Sequence, residues 1–451
     1  MSAPRGEFSS RFGFLMAASG SAVGLGNIWG FPTNTASNGG AAFLFTYLIL
    51  VFLLAYPALM AELIIGRHAK ANAVTALQGL SRGRATYWLG STVGFVGIIT
   101  VSLILSFYAI VSGWMMAFLF DPLARIAGLQ SVANWLTTDG LARDGGFVLL
   151  FMSLTVYVVS AGVKEGIEKW ASRLMPSLVV ILLLLILYVL TLPGAGDGLR
   201  AYLVPDFEAI ANPYLLINAL GQAFFSLSLG AGTMLIYGSY VSKRENLPQL
   251  GSMVALLDVG IAFLAGMLIL PAMYVAQANG VTIYDESGGL VAGPGLILSV
   301  LPALFTNMGS IGLLVALAFF LLMTIASLTS SISMLEVPVA YAAENHQVER
   351  RKATLVVGAL ITVVCLVIVS NIAVLFDLVV TITTEWSQPL GGLFFCVFVA
   401  WIWNRNGLLQ EISQGYPEVE SSLFWKIWPF YVKFICPLAI LMVYVELLGF
   451  I

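Results

Sequence analysis

Charge is what this sequence has least of. Only 10% of its 451 residues are Asp, Glu, Lys or Arg, and 59% are hydrophobic. A soluble globular chain carries about 25% charge, so the solvent implied is lipid, and no nucleic-acid partner is expected. Cysteine and histidine are scarce too. Cys365, Cys396 and Cys436 all lie in apolar runs, with neither metal-ligand spacing nor a disulfide pattern, and read as small core residues. His68 and His346 fall in charged loops. With no Cys/His cluster a metalloenzyme is excluded. No Ser/His or Cys/His pair can be placed at membrane depth, so no enzyme of any kind is expected.

What the chain has instead is apolar length. A window of about 20 residues marks eleven segments, at 11–37, 41–66, 88–120, 147–163, 168–192, 213–240, 246–276, 310–342, 353–371, 374–403 and 424–450. The first is too long for a cleavable signal and is followed at once by another span. The stretch 293–307, GPGLILSVLPALFTN, is too short and too punctuated to cross, and reads as a helical loop on the outer surface. No soluble domain is expected. With the N-terminus in the cytoplasm, Arg5, Arg11, Arg67, Lys70, Arg82, Arg84, Lys164, Lys169, Arg173, Lys243, Arg244, Arg350, Arg351, Lys352, Arg405 and Lys426 all fall inside. Only Arg125, Arg143 and Arg200 fall in outer loops. That asymmetry sets the expected orientation in a plasma (inner) membrane, with the C-terminus outside.

Two spans carry breaks. Residues 18–32, ASGSAVGLGNIWGFP, hold Gly20, Gly24, Gly26 and Gly30 before a proline; residues 224–234, FFSLSLGAGTM, hold Gly230 and Gly232. Glycine and proline loosen a helix. Unwinding in lipid strands carbonyls and amides at several kcal/mol each, which is tolerable where those groups bind something. Freed carbonyls suit a small hard cation, and half-helix N-termini favour a carboxylate. Taken alone, the first stretch also reads as small-xxx-small helix packing. Counting five spans per half, however, spans one and six occupy matching positions, and paired interruptions point to a transporter's midplane site.

The segments AASGSAVGLGNIWGFP, GQAFFSLSLGAG and ASLTSSISMLEVP closely resemble the neurotransmitter:sodium symporter family, in particular its bacterial amino-acid transporters, and the match runs along nearly the whole chain. The resemblance implies an all-α integral membrane protein of two inverted five-helix repeats plus an eleventh helix: residues 1–192 (spans one to five), 193–404 (spans six to ten) and 405–451. The twelfth helix of many members is absent. A first sodium is implied at Ala22, Asn27, Ser226 and Asp258, and a second at the carbonyls of Gly20, Val23 and Ala326 with the hydroxyls of Thr329 and Ser330. Thr329 and Ser330 also read, more plainly, as hydroxyls bonded back along their own helix. The substrate carboxylate is implied at the amides of Gly24, Leu25 and Gly26 and at the Tyr108 hydroxyl. Its ammonium is implied near Ser21, Ala22, Phe225, Ser226 and Ser228, and its side chain among Ile104, Phe225, Ala231, Ser330 and Met334. Amine-transporting relatives have an aspartate where Gly24 stands, so this chain's substrate should bring its own carboxylate. Ala231 stands where relatives often have a bulkier residue, which implies a large hydrophobic or aromatic side chain.

Glu62, Asp258, Glu336 and Glu385 lie in apolar surroundings, at about 2.5–3.5 kcal/mol each on insertion scales, so each needs a partner. Asp258 supplies the negative charge that chloride-dependent relatives take from chloride, and no chloride requirement is expected. Glu62 is expected to satisfy amides exposed at a broken helix, and Glu336 to be a hydrogen-bonded core acid; for Glu385 and Lys433 the sequence offers no mechanism. An inner gate is implied by Arg5 and Phe8 with Glu344. Gly166 and Pro176, with nine residues between them, resemble a motif that lets the inner end of span five unwind. The outer gate departs from the family: Gly30 and Val380 replace its Arg/Asp latch, which leaves Tyr108 and Phe225 as the candidate lid. The expected function is sodium-driven import of a neutral amino acid by alternating access. A non-transporting amino-acid sensor on the same fold is the alternative; a channel fits paired midplane ligands less well.

Overall fold

A computed structural model describes residues 6–205, 213–284, 290–291 and 296–449. Every regular element among these residues is helical. Eight helices are long and apolar enough to cross a bilayer: Ala41–Ala69, Arg84–Ile126, Leu141–Ser160, Val163–Val189, Leu247–Ala278, Gly309–Asn345, Arg350–Ser370 and Leu423–Leu447. Two bent pairs bring the number to ten: Arg11–Ala22 with Gly26–Ser37, bent by 55°, and Ile372–Ile402 with Arg405–Ser413, bent by 104°. The sixth expected span falls on two shorter helices, Pro213–Ser226 and Thr233–Ser239. Within the stretch 293–307 the described residues form the short helix Leu296–Asn307.

Both breaks come from local chemistry. The first helix starts at Ser10, whose side chain accepts from the Gly13 amide at 2.9 Å, an ordinary N-cap. It stops where Val23 turns extended (φ −74°, ψ 104°), and Gly26–Gly30 resumes as a wide π turn. In the second break three residues have positive φ, namely Ser228 (53°), Gly230 (82°) and Gly232 (77°). Gly230 is required twice over: L side chains rarely adopt its φ, and a Cβ there would strike the Gln388 carbonyl.

Burial sorts the spans into layers. Two-thirds of the apolar window is buried in Ala41–Ala69 and in Arg84–Ile126, against 22% in Leu423–Leu447 and 33% in Val163–Val189. The second and third spans are therefore core helices; the fifth and eleventh present apolar side chains such as Leu187 and Leu438 outward, as lipid contact requires. The second span packs on the second half of the sixth through glycine. A Cβ on Gly66 would strike the Leu235 carbonyl, and one on Gly238 would lie 2.6 Å from the Leu63 carbonyl. These contacts fix Thr233–Ser239 against a rigid wall.

At the end of the second span a buried ion pair ties three parts of the chain together. Arg67 Nε donates to Glu411 Oε1 at 2.8 Å, and its two terminal nitrogens donate to the carbonyls of Glu245 and Glu411 at 2.7 and 2.5 Å. His68 faces the other Glu411 oxygen at 3.2 Å and packs on Trp403. Burial opposes the Glu411 charge, but the His68 hydrogen bond and Arg67 outweigh it and hold its carboxyl below the usual carboxylate range. Removing one partner of such a pair strands the other charge, at about 3–5 kcal/mol. Arg67→Met should therefore lower the thermal unfolding midpoint in detergent sharply, and Arg67→Met with Glu411→Leu should recover part of the loss. A single variant as stable as the parent would remove the pair from the fold's stability.

Candidate functional site

The two breaks face each other, and the polar groups they expose are paired with each other or with side chains of the second and third spans. The Leu25 amide donates to the Tyr108 hydroxyl at 2.9 Å. Gln222 Nε2 donates to the Gly26 carbonyl at 3.0 Å. Ser228 Oγ donates to the Ser21 carbonyl at 3.2 Å, and the Gly230 amide donates to Glu62 Oε1 at 2.6 Å. Glu62 thus does what its sequence position implied, bracing the second break.

Beside the first break lies an oxygen-rich cluster. Asn27 Nδ2 donates to Asp258 Oδ1 at 2.6 Å and to Ser226 Oγ at 2.9 Å. Ser226 Oγ donates to Asp258 Oδ2 at 2.7 Å, and Tyr47 closes the group with a 3.0 Å bond to Ser226. Asp258 and Asn27 are fully buried. Every partner shown for the Asp258 carboxylate is uncharged. Asn27 Oδ1 accepts from the Gly24 amide at 3.2 Å, which ties this cluster to the first break.

A second cluster joins the first and eighth spans. Ser330 Oγ donates to the carbonyls of Gly20 and Val23 at 3.1 and 3.2 Å. Thr329 Oγ1 reaches the Ala326 carbonyl at 3.0 Å and that of Ile325 at 3.2 Å. Thr329 is thus bonded back along its own helix, whereas Ser330 reaches across to the broken one. A Cβ on Gly20 would sit 3.0 Å from Thr329 Cβ and 3.3 Å from Met175, so the first and eighth spans pack closely here.

Between the clusters is a cavity of about 30 Å³, space for about two waters. The residues expected around a substrate all line it except Ser21, Leu25 and Ser226, and those three are joined to it through Ser228, Tyr108 and the Asp258 cluster. Gly24 has no room for a side chain, since a Cβ would meet the hydroxyls of Tyr108 and Ser330. Three further lining residues, Val101, Thr233 and Gln388, were not foreseen. Val101 lies one helical turn before Ile104 and was within reach of periodicity. Gln388 enters only because the tenth span packs on the Gly230 turn.

Of the expected gate residues, Arg5 lies outside the described residues. Phe8 packs edge-on against Phe14, Tyr237 and Tyr240. Glu344 accepts from the Asn72 amide and side chain, both at 2.9 Å. Val163–Glu168, which contains Gly166, is a π-helical turn leading into Lys169–Val189, which contains Pro176. Glu336 pairs with Arg350 at 2.5 Å and accepts from Tyr240 at 2.5 Å, so it is a paired acid rather than only a hydrogen-bonded one. Lys433 lies 4.4 Å from the Trp401 ring centre, a cation–π contact. Glu385 accepts a long 3.4 Å bond from Thr381. Among the described residues no group of three His, Cys, Asp or Glu is placed to hold a metal ion; the clusters above are built from carbonyls, hydroxyls and a single carboxylate.

A model described as the sodium:neurotransmitter symporter family matches residues 5–143 and 138–449. A sodium-dependent transporter of Bacillus subtilis, YhdH, is 33% identical over 98% of both chains. The taurine transporter of Bos taurus, described as sodium- and chloride-dependent, is 28% identical over 77% of this chain and 62% of its own. The crystal structure of MhsT in complex with L-phenylalanine is 37% identical, with a TM-score of 0.83, covering 98% of this chain and 99% of that one. With a multi-pass helical body and two facing helix breaks, the chain belongs to the sodium:neurotransmitter symporter family and is a sodium-coupled membrane transporter of a small molecule.

Proposed function

We propose that this transporter imports a neutral amino acid with a bulky hydrophobic or aromatic side chain, driven by two sodium ions and without chloride. The observation that carries the reading is the Asp258 cluster: a fully buried carboxylate whose partners among the described residues are the neutral donors Asn27, Ser226 and Tyr47. A buried charge needs a counter-charge, and a sodium ion brings the one this cluster lacks. The first ion would be held by Asp258, Ser226, the Asn27 oxygen and the Ala22 carbonyl. Asn27 turns its nitrogen to Asp258 and its oxygen to Gly24; a half-turn of the amide delivers the oxygen to the ion. The second ion would take the carbonyls of Gly20, Val23 and Ala326 with Thr329 and Ser330, whose hydroxyls would turn their lone pairs to it.

The substrate carboxylate would take the amides of Gly24, Leu25 and Gly26 with Tyr108, and the ammonium the carbonyls around Ser21, Ala22, Phe225 and Ser226, with Ser228. The crowding at Gly24 supports a substrate that supplies its own carboxylate, and the phenylalanine in MhsT supports a hydrophobic side chain. The small cavity implies that such a side chain enters by displacing the flexible Met334 and the Phe225 ring. Two sodium ions, each with about 2.3 kcal/mol from 100 mV and about 1.4 from a tenfold gradient, supply roughly 7 kcal/mol, enough for about a 10⁵-fold substrate gradient. Alternating access would proceed by movement of the repeats 1–192 and 193–404 against each other, with 405–451 peripheral, the N-terminus cytoplasmic and the C-terminus outside. Arg5, Phe8, Glu344, Gly166 and Pro176 would form the inner gate.

In purified protein, a binding screen of the twenty amino acids should find large apolar ones bound more tightly with sodium than without; if no amino acid responds to sodium, the substrate class is wrong. Asp258→Ala should weaken apparent sodium affinity at least about tenfold, and substrate binding with it; an unchanged sodium titration removes Asp258 from the first site. In proteoliposomes, replacing chloride by gluconate should leave uptake unchanged, and loss of uptake would refute chloride independence.

A further inference from the structure

Lys433 has no part in the cavity or its clusters. It lies well inside the helix Leu423–Leu447, about 15 Å along it from the first residue. It is nevertheless level with a membrane boundary, because it is held to Trp401, one residue from the end of Ile372–Ile402. The Trp401 indole N–H donates to the Lys433 carbonyl at 3.2 Å. The ammonium lies 4.4 Å from the Trp401 ring centre and 5.4 Å from that of Phe434. Both residues stand in π turns, Phe398–Ile402 and Tyr431–Ile435, a distortion that recurs at functional positions in helices. The rings around the lysine face outward, with Trp401 56%, Phe430 55% and Phe434 46% exposed.

Ring faces attract a cation without neutralising it. The ammonium has three N–H donors, and among the described residues none of them finds an acceptor. Two further cations stand at the same end of these spans. Lys426, two turns earlier, is exposed and has no partner among the described residues. Arg405, just beyond span ten, lies 5.7 Å from the Trp425 ring centre. Glu418 and Glu420 are exposed in the turn before span eleven and pair with neither lysine. An outward-facing cluster of cations and aromatic rings at a membrane boundary has the chemistry of a lipid headgroup site. We propose that spans ten and eleven bind an anionic phospholipid: its phosphodiester accepts from the Lys433 ammonium, and its chains run along Phe430 and Phe434. Lys426 and Arg405 add attraction for the net negative charge. A zwitterionic lipid presents the same phosphate but brings its own cation, and so is held less tightly.

The test titrates the delipidated full-length transporter in detergent with phosphatidylglycerol or with phosphatidylcholine of the same chains, and counts bound lipid by native mass spectrometry. The parent should bind its first phosphatidylglycerol at least about fivefold more tightly than phosphatidylcholine. Lys433→Gln should lose that preference, Lys433→Arg should keep it, and Lys426→Gln should reduce it. Lys352→Gln, which removes an exposed lysine at the start of span nine, should leave it unchanged. Equal binding of the two lipids by the parent, as a lysine that only snorkels would give, overturns the proposal. So does a preference that survives Lys433→Gln, or one that Lys352→Gln weakens as much. Glycerol 3-phosphate, a headgroup without chains, should not displace the lipid; if it does, the site takes a soluble phosphate and the lipid assignment fails. If Lys433→Gln does not fold, the parent's preference and the comparison of Lys426→Gln with Lys352→Gln decide.

Discussion

The constraint on which the structure depends is that a backbone opened inside a bilayer must find partners for every group it exposes. Each break leaves amides and carbonyls that a continuous helix would have paired. At the first, Tyr108 takes the Leu25 amide and Gln222 supplies the Gly26 carbonyl. At the second, Glu62 takes the Gly230 amide. These partners come from spans two, three and six, and the second and third spans are the most deeply buried of the long helices. The opened segments are therefore held by rigid neighbours, and their remaining oxygens stay directed at a shared interior.

Sharing is what makes the interior suitable for coupling. Asn27 belongs to the Asp258 cluster and also fixes the Gly24 amide. Ser330 lines the cavity and also reaches the carbonyls of Gly20 and Val23. A ligand in the cavity and a cation at either cluster would act on the same few atoms. Each would find those atoms pre-oriented by the other, and reciprocity of binding free energies then follows. No long communication path is required, because the occupants are neighbours.

Much of this was legible in the sequence, because backbone chemistry writes itself in glycine. The breaks at Gly24–Gly26 and Gly230–Gly232, and the need of Glu62 for a nearby amide, follow from what lipid forbids. What was not legible depends on distant pairings. Glu411 meets Arg67 across most of the chain, and Arg350 meets Glu336 by folding back from the next helix; neither contact leaves a periodic trace. Gln388 escaped for a related reason. Its place on the cavity wall depends on the tenth span reaching the Gly230 turn, a contact permitted by the missing Cβ of Gly230 and Gly391. The aromatic contacts offer another case, since only the folded chain brings Phe107 and Trp114 onto Phe376.

The start of the fifth span, Val163–Val189, gains meaning from its position. Met175, just before Pro176, lies against Gly20, whose carbonyl belongs to the second oxygen cluster. Two residues beyond Gly166, Glu168 accepts from the Ser9 amide and hydroxyl at 2.8 and 2.6 Å and from Ser10 at 3.2 Å, so it anchors the start of the first helix. The same short segment therefore backs the second cluster and holds the base of the broken helix. A proline lacks the amide donor that would stiffen it, and the π turn at Val163–Glu168 is already wider than an α-helix. Loosening this segment would release the first helix and uncover the Gly20 carbonyl together.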